Sequence, residues 1–217
     1  MQKIKTAIIG YPSGYGGLDS VSLERYRYFQ ERARLDCLAI YPSEFTSGGV
    51  SVAGSVISED PKRAVKATLM RGSEVAYIVE TSAEAAGSGP ATQDFIFEGV
   101  EPGTYSLIIE KDGNLKCTLQ GVTVGEEDVT LVTDDTRLGG VPIELICGDL
   151  NGDGQINSID LSLLLADYGK SGAALAGSQA DLDGDLQVNS IDLSLLLAGY
   201  GKSNQVISPA TGSGVVN

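Results

Sequence analysis

Between residues 50 and 146 apolar and polar positions alternate in short runs, broken by glycine, proline and Asp-Gly steps. A period of two sends successive side chains to opposite faces of a strand. Candidate strands fall at 50–57 (VSVAGSVI), 64–71, 75–81, 93–98, 104–110, 115–119, 122–124, 129–133 and 141–146, with turns at Gly72-Ser73 and at 111–114 (KDGN). Asp-Gly turns and strands roughly ten residues apart predict an all-β sandwich of about seven antiparallel strands. Beyond residue 147 the period lengthens. Leu161, Leu164, Leu165 and Tyr168, then Leu193, Leu196, Leu197 and Tyr200, recur at helical spacing, closed by Gly169 and Gly201. Residues 1–47 read as strand (4–9), glycine-rich loop (11–17), helix capped by Asp19 or Ser20, and strand (38–41). They form a short α/β segment without an assigned fold, or the tail of an upstream domain. No Lys-Ser/Thr pair follows the loop glycines and Pro12 interrupts them, unlike a phosphate-binding fingerprint.

The helical stretch is duplicated. Residues 148–170 (GDLNGDGQINSIDLSLLLADYGK) and 180–202 (ADLDGDLQVNSIDLSLLLAGYGK) agree at 18 of 23 positions with an offset of 32. Each copy places oxygen-bearing side chains at loop positions 1, 3 and 5 and an Asp at position 12, the spacing of an EF-hand calcium loop. The candidate ligands are Asp149, Asn151, Asp153, the Gln155 carbonyl, Asn157 (directly or through water) and Asp160. In the second copy they are Asp181, Asp183, Asp185, the Gln187 carbonyl, Asn189 and Asp192. All are hard oxygen donors, which suits two calcium ions better than magnesium with its small, regular octahedron. Gly154 at position 6 permits the sharp turn; its counterpart is Leu186, so distortion or weaker affinity is expected in the second loop.

Composition narrows the chemistry. The 217 residues include no His and no Trp, and carry 29 acidic against 15 basic residues for a formal charge of -14. The lack of His removes Ser-His-Asp and Cys-His catalysis and imidazole metal sites. The acidity disfavours nucleic acid and anionic membranes. No apolar run approaches a membrane span. Cys37, Cys117 and Cys147 are odd in number and far apart, and are expected to be free, buried thiols. Tyr77, Phe95, Phe97 and Tyr105 alternate with apolar residues inside strands, which favours core packing over a sugar-stacking platform.

The segment 97–105 (FEGVEPGTY), followed by 121–125 (GVTVG), resembles the carboxypeptidase-regulatory-like sandwich family over about 95 residues. That resemblance implies a spacer or accessory domain in a secreted protein. The tandem loop-plus-one-helix repeat, with its GDLNGDG opening, closing Asp and terminal YGK, resembles dockerin modules. The resemblance implies calcium-dependent attachment to a cohesin domain of a scaffoldin in an extracellular or cell-surface, cellulosome-like assembly for polysaccharide degradation. It also implies partner contacts at loop positions 10 and 11 and along the following helix: Ser158, Ile159, Leu165, Ala166 and Lys170, and Ser190, Ile191, Leu197, Ala198 and Lys202. Identical residue types in both sets imply two interchangeable binding modes.

The expected organisation is an unassigned segment at 1–47, a β-sandwich at 48–146, a small all-α dockerin at 147–210 and a flexible tail at 211–217. The chain is expected to be non-catalytic, with no catalytic residues, and monomeric without cohesin. Three alternatives remain at this level. One is a fragment of a dockerin-bearing glycoside hydrolase, with paired carboxylates such as Asp19 and Glu24. The others are a carbohydrate-binding module and a self-assembling extracellular subunit.

Overall fold

The structure, a computed structural model, describes residues 49–209 apart from 82, 84, 85, 176 and 177. The expectations for residues 1–47, Cys37 among them, and for the tail 211–217 lie outside the described residues. Strand β1 (Val50–Ser58) pairs antiparallel with β4 (Ala91–Val100) and in parallel with β8 (Val129–Thr130) and β9 (Ile143–Glu144). A second sheet has the order β7 (Cys117–Val124), β5 (Gly103–Glu110), β2 (Lys66–Arg71), β3 (Glu74–Glu80), antiparallel throughout. Strand β11 (Gln205–Ile207) extends this sheet in parallel beside β7.

The two sheets enclose one core. Every second residue of β1 points inward, and Val52 and Val56 meet Leu69, Leu107, Ile109 and Leu119 from the second sheet. Each such side chain contributes about 1.5–3 kcal/mol through burial. Gly54 sits opposite Phe95 across the β1–β4 ladder, and a Cβ there would overlap the Phe95 ring, so the aromatic fills the space the glycine leaves. Phe95, Phe97 and Tyr105 are buried and Tyr77 packs against them, as the alternation predicts. The Tyr105 hydroxyl donates to the Glu101 carbonyl at 2.7 Å, and the Arg71 guanidinium lies 5.0 Å from its ring centroid.

Three sequence expectations change. An all-antiparallel arrangement does not hold: β8, β9 and β11 pair in parallel, each arriving by a long connection instead of a hairpin. The strand expected at 129–133 stops at Thr130 and becomes the short helix α1 (Leu131–Asp134). There the Asp134 carboxylate accepts the Thr130 N–H (2.6 Å) and the Thr133 hydroxyl donates to the Thr130 carbonyl, local bonds that compete with a ladder. The strand expected at 141–146 shrinks to β9, because Pro142 has no N–H to pair.

The C-terminal part holds two ten-residue helices, α2 (Ser158–Asp167) and α3 (Ser190–Gly199). Leu164, Leu196, Ile156, Val188, Leu175 and Leu182 form their core, and Leu115 from the β region joins it. The sequence stripe is too wide: Leu164 is buried and Leu161 half-buried, but Leu165 and Tyr168 face solvent, since two short helices cover only a narrow seam. Strand β10 (Cys147–Asp149) pairs with β6 (Gly113–Asn114), and the described residues belong to one compact unit.

Candidate functional site

Each predicted loop closes on itself through its own carboxylates. In the first, Asp149 accepts the Gly154 N–H (2.9 Å), Asp153 the Gln155 N–H (2.9 Å), and Asn151 the Asp153 N–H (3.0 Å). In the second, Asp181 accepts from Leu186 (3.0 Å), Asp185 from Gln187 (2.8 Å) and Asp183 from Asp185 (3.0 Å). These three bonds recur in both loops, whereas the other Asp149 oxygen takes the Asp153 N–H (3.1 Å) and the other Asp181 oxygen the Gly184 N–H (2.9 Å). Leu186 reaches it at φ 69, in the left-handed region that Gly154 occupies at φ 84. The second loop therefore keeps the turn at the strain cost of a Cβ, about 1–2 kcal/mol.

The residues at position 12 hold each loop to its helix. Asp160 is fully buried; one oxygen takes the Leu150 and Asn151 N–H groups (2.9 and 3.2 Å) and the other the Asn157 N–H (2.8 Å). Asp192 repeats this with Leu182, Asp183 and Asn189. Asn157 and Asn189 are the helix N-caps, accepting from Ile159 (2.8 Å) and Ile191 (2.7 Å) and completing a reciprocal capping box with Asp160 and Asp192. Sequence reasoning gave these Asn residues to the metal; the structure places their amide oxygens on the helix ends.

Among the described residues, the oxygens of Asp181, Asp183 and Asp185 lie within 4.8 Å of one another. Asp192 is not a member of that group, its oxygens being turned to backbone N–H groups. The first loop has Asn151 in place of the middle carboxylate. Gln155 and Gln187 sit at isolated bridges with Ser203 and Ser171, where the ladder bonds belong to their neighbours, Asn204 to Gly154 (3.0 Å) and Gly172 to Leu186 (2.8 Å). Burial raises the Asp149, Asp181 and Asp183 carboxyls above the ordinary range; neighbouring carboxylates add to the rise and backbone N–H bonds oppose it. A carboxylate offers about four lone-pair sites, so oxygens that accept N–H bonds retain capacity for a cation. Clustered, partly desolvated oxygen donors without nitrogen or sulfur fit a hard divalent cation.

The partner-contact candidates all lie exposed: Ser158, Ile159, Leu165, Ala166 and Lys170 on one repeat, Ser190, Ile191, Leu197, Ala198 and Lys202 on the other. The apolar pairs match closely, Ile159 and Leu165 at 55% and 52% exposure, Ile191 and Leu197 both at 52%. Residues that sequence reasoning missed come from the β region. Arg63 Nη2 donates to the Asp181 carbonyl (2.9 Å), Lys62 Nζ to the Gly184 carbonyl, and the Gly89 N–H to the Asp183 carbonyl (2.6 Å). At the first loop, the Asn204 side chain accepts from the Lys116 N–H (2.9 Å) while its backbone bonds Gly154. A basic pair within DPKR is visible in sequence, but the carbonyls it meets leave no signature there.

Two oxygen-lined loops, each continued by one helix, have the arrangement of a loop–helix pair of the EF-hand kind. Residues 147–198 match the family model of the dockerin type I domain, a non-catalytic docking module of a calcium-binding family. The match does not extend to the preceding sheets, for which the carboxypeptidase-regulatory-like resemblance finds no support. No curated protein matches the chain. Two solved structures share its fold across both parts: N-terminal and C-terminal interface mutants of a type II cohesin–X–dockerin complex from Acetivibrio cellulolyticus. They are 20% and 19% identical, each covers 72% of this chain and 98% of its own, and each has a TM-score of 0.52. A type II cohesin–dockerin domain from Bacteroides cellolosolvens is 41% identical over 26% of this chain and 85% of its own, with a TM-score of 0.23. No described helix is long and apolar enough to cross a membrane.

Proposed function

We propose that the duplicated loop–helix pair is a calcium-dependent plug for a cohesin domain, attaching its parent protein to a scaffoldin in an extracellular, cellulosome-like assembly. Two calcium ions are held, one per loop, by Asp149, Asn151, Asp153, the Gln155 carbonyl, Asn157 (directly or through water) and Asp160, and by Asp181, Asp183, Asp185, the Gln187 carbonyl, Asn189 and Asp192. Positive charge there offsets repulsion among the clustered carboxylates and so favours the ordered loop. The β region, residues 48–146, serves as a stabilising spacer. The observation that carries the reading is the matched exposure of Ile159 with Leu165 and of Ile191 with Leu197 beside two equivalent loops. Such pairs supply the apolar centre of an interface, and the hydroxyls and lysines beside them its polar rim.

Capture by immobilised type I and type II cohesins, with calcium or with chelator, tests the reading. Capture in calcium that chelator abolishes is expected; failure of both cohesin types in calcium refutes it. If the two helices serve interchangeably, Ile159→Asp and Ile191→Asp each retain binding and the double variant loses it. Loss with one single variant alone refutes dual binding.

A further inference from the structure

The two loops share the position-1-to-6, 3-to-5 and 5-to-7 bonds and differ most in what lies against them. On the first, Asn151, Gly152 and Asp153 are exposed and border a cleft of about 660 Å³. On the second, Asp181, Asp183 and Gly184 are buried. The turn after β1 closes over them. Asp60 stands there at φ 55, its carboxylate paired with Arg63 Nε (2.9 Å) and accepting the Lys62 N–H (3.1 Å), while its carbonyl takes Lys111 Nζ (2.7 Å). So held, the turn aims Lys62 and Arg63 at the carbonyls of loop positions 4 and 1, and Gly89 supplies the bond to position 3. The Asp60 carboxylate occupies the space that a Cβ on Gly184 would need.

Charge follows the same division. The second loop has Asp183 where the first has Asn151, and so one more carboxylate. Lys62 and Arg63 thus place two cations beside the more crowded carboxylate group and bond its backbone at the same time. The main chain of the second loop is bonded at positions 1, 3 and 4 from outside the repeat, while the same turn brings the Asp60 and Glu59 carboxylates beside it.

We propose that Lys62 and Arg63, with Gly89, keep the second loop folded without calcium, making it a preformed site, whereas the first loop is ordered by the ion itself. This rests on the reading of both loops as calcium sites. Peptide-resolved amide hydrogen exchange of the full chain, in chelator and in millimolar calcium, tests it. In chelator, residues 181–192 are expected to stay protected while 149–160 exchange at least roughly tenfold faster than in calcium. Lys62→Gln combined with Arg63→Gln raises exchange across 181–192 in chelator by roughly tenfold, the loss of charge-assisted bonds, and calcium reverses the rise. Protection of β1, β2 and β5 reports that the variant folds; should it be lost, Lys62→Gln alone decides by the same criterion. Equal lability of both loops in chelator overturns the proposal, as does a variant that leaves 181–192 unchanged. If neither loop responds to calcium, the metal reading fails, and the variant in chelator still decides whether the grip exists.

Discussion

Loop position 6 offers a paired perturbation with opposite expected signs. Gly154 and Leu186 occupy the same place in the two repeats at φ 84 and φ 69. Gly154→Ala puts a Cβ into the left-handed region, costing roughly 1–2 kcal/mol. The stiffer unfolded chain returns about 0.4–1 kcal/mol. The new Cβ also runs into Asn204 Nδ2, displacing the side chain that accepts the Lys116 N–H and losing a further ~1 kcal/mol. The net expectation is destabilisation by about 1–2.5 kcal/mol. Leu186→Gly removes the same strain, loses little packing because Leu186 is 57% exposed, and is expected to stabilise by about 0.5–1 kcal/mol. Urea unfolding of the full chain in saturating calcium, followed by far-UV circular dichroism, reads both as shifts of the midpoint at unchanged slope. Shifts of the same sign in the two variants refute the reasoning.

Asp160→Ala strands the N–H groups of Leu150, Asn151 and Asn157 and is expected to cost about 3 kcal/mol or more, in chelator as well as in calcium; a loss seen only in calcium contradicts the capping role. Asp149, Asp181 and Asp183 are raised in the folded chain chiefly by burial, so the folded state binds their protons more tightly than the unfolded state does. In chelator, stability therefore rises as pH falls from neutral toward the ordinary carboxylate range near ~4, while calcium affinity drops over the same interval. Below that window the salt-bridged Glu110 and Asp135, whose carboxyls are lowered, reverse the trend; urea midpoints that fall steadily from pH ~7 in chelator contradict the assignment. Burial pushes the Cys117 thiol up to about 11 and the Cys147 thiol up to about 12. Neither is expected to alkylate with iodoacetamide at neutral pH until the chain is denatured, as peptide mass spectrometry reads directly.

Most of the antiparallel strands were legible because alternation is a local property. The run at 50–57 lies within β1, which buries one face in the core, and 75–81 overlaps β3, which half-buries Tyr77 and Val79 against it. The duplicated loops were legible for a different reason: the oxygen positions repeat in sequence at the spacing at which they meet in space. The N-cap role of Asn157 and Asn189 is not legible, because a side-chain oxygen that caps a helix and one placed for metal look alike in sequence. Strand β11 left no trace, being three residues long and paired with a strand far earlier in the chain. The bonds from Lys62 and Arg63 were equally silent, since their partners are main-chain carbonyls. Leu186 is intermediate: its strain was foreseen, but the preserved bond pattern and the turn packed over its loop could only be seen in three dimensions.

Strand β11 sets the order in which this chain can mature. It lies past both repeats, and the contact beside it joins Lys116 to Asn204 across 88 residues. So distant a pairing pays its loop-closure entropy late, which places it after the local hairpins and the helices in folding time. A nascent chain halted after residue 202 holds both repeats in full, yet among the described residues β7 is then an open sheet edge, a template for pairing with another chain. Residues 205–207 are therefore a kinetic seal: until they leave the ribosome, the docking module is complete in sequence and the sheet beside it is not.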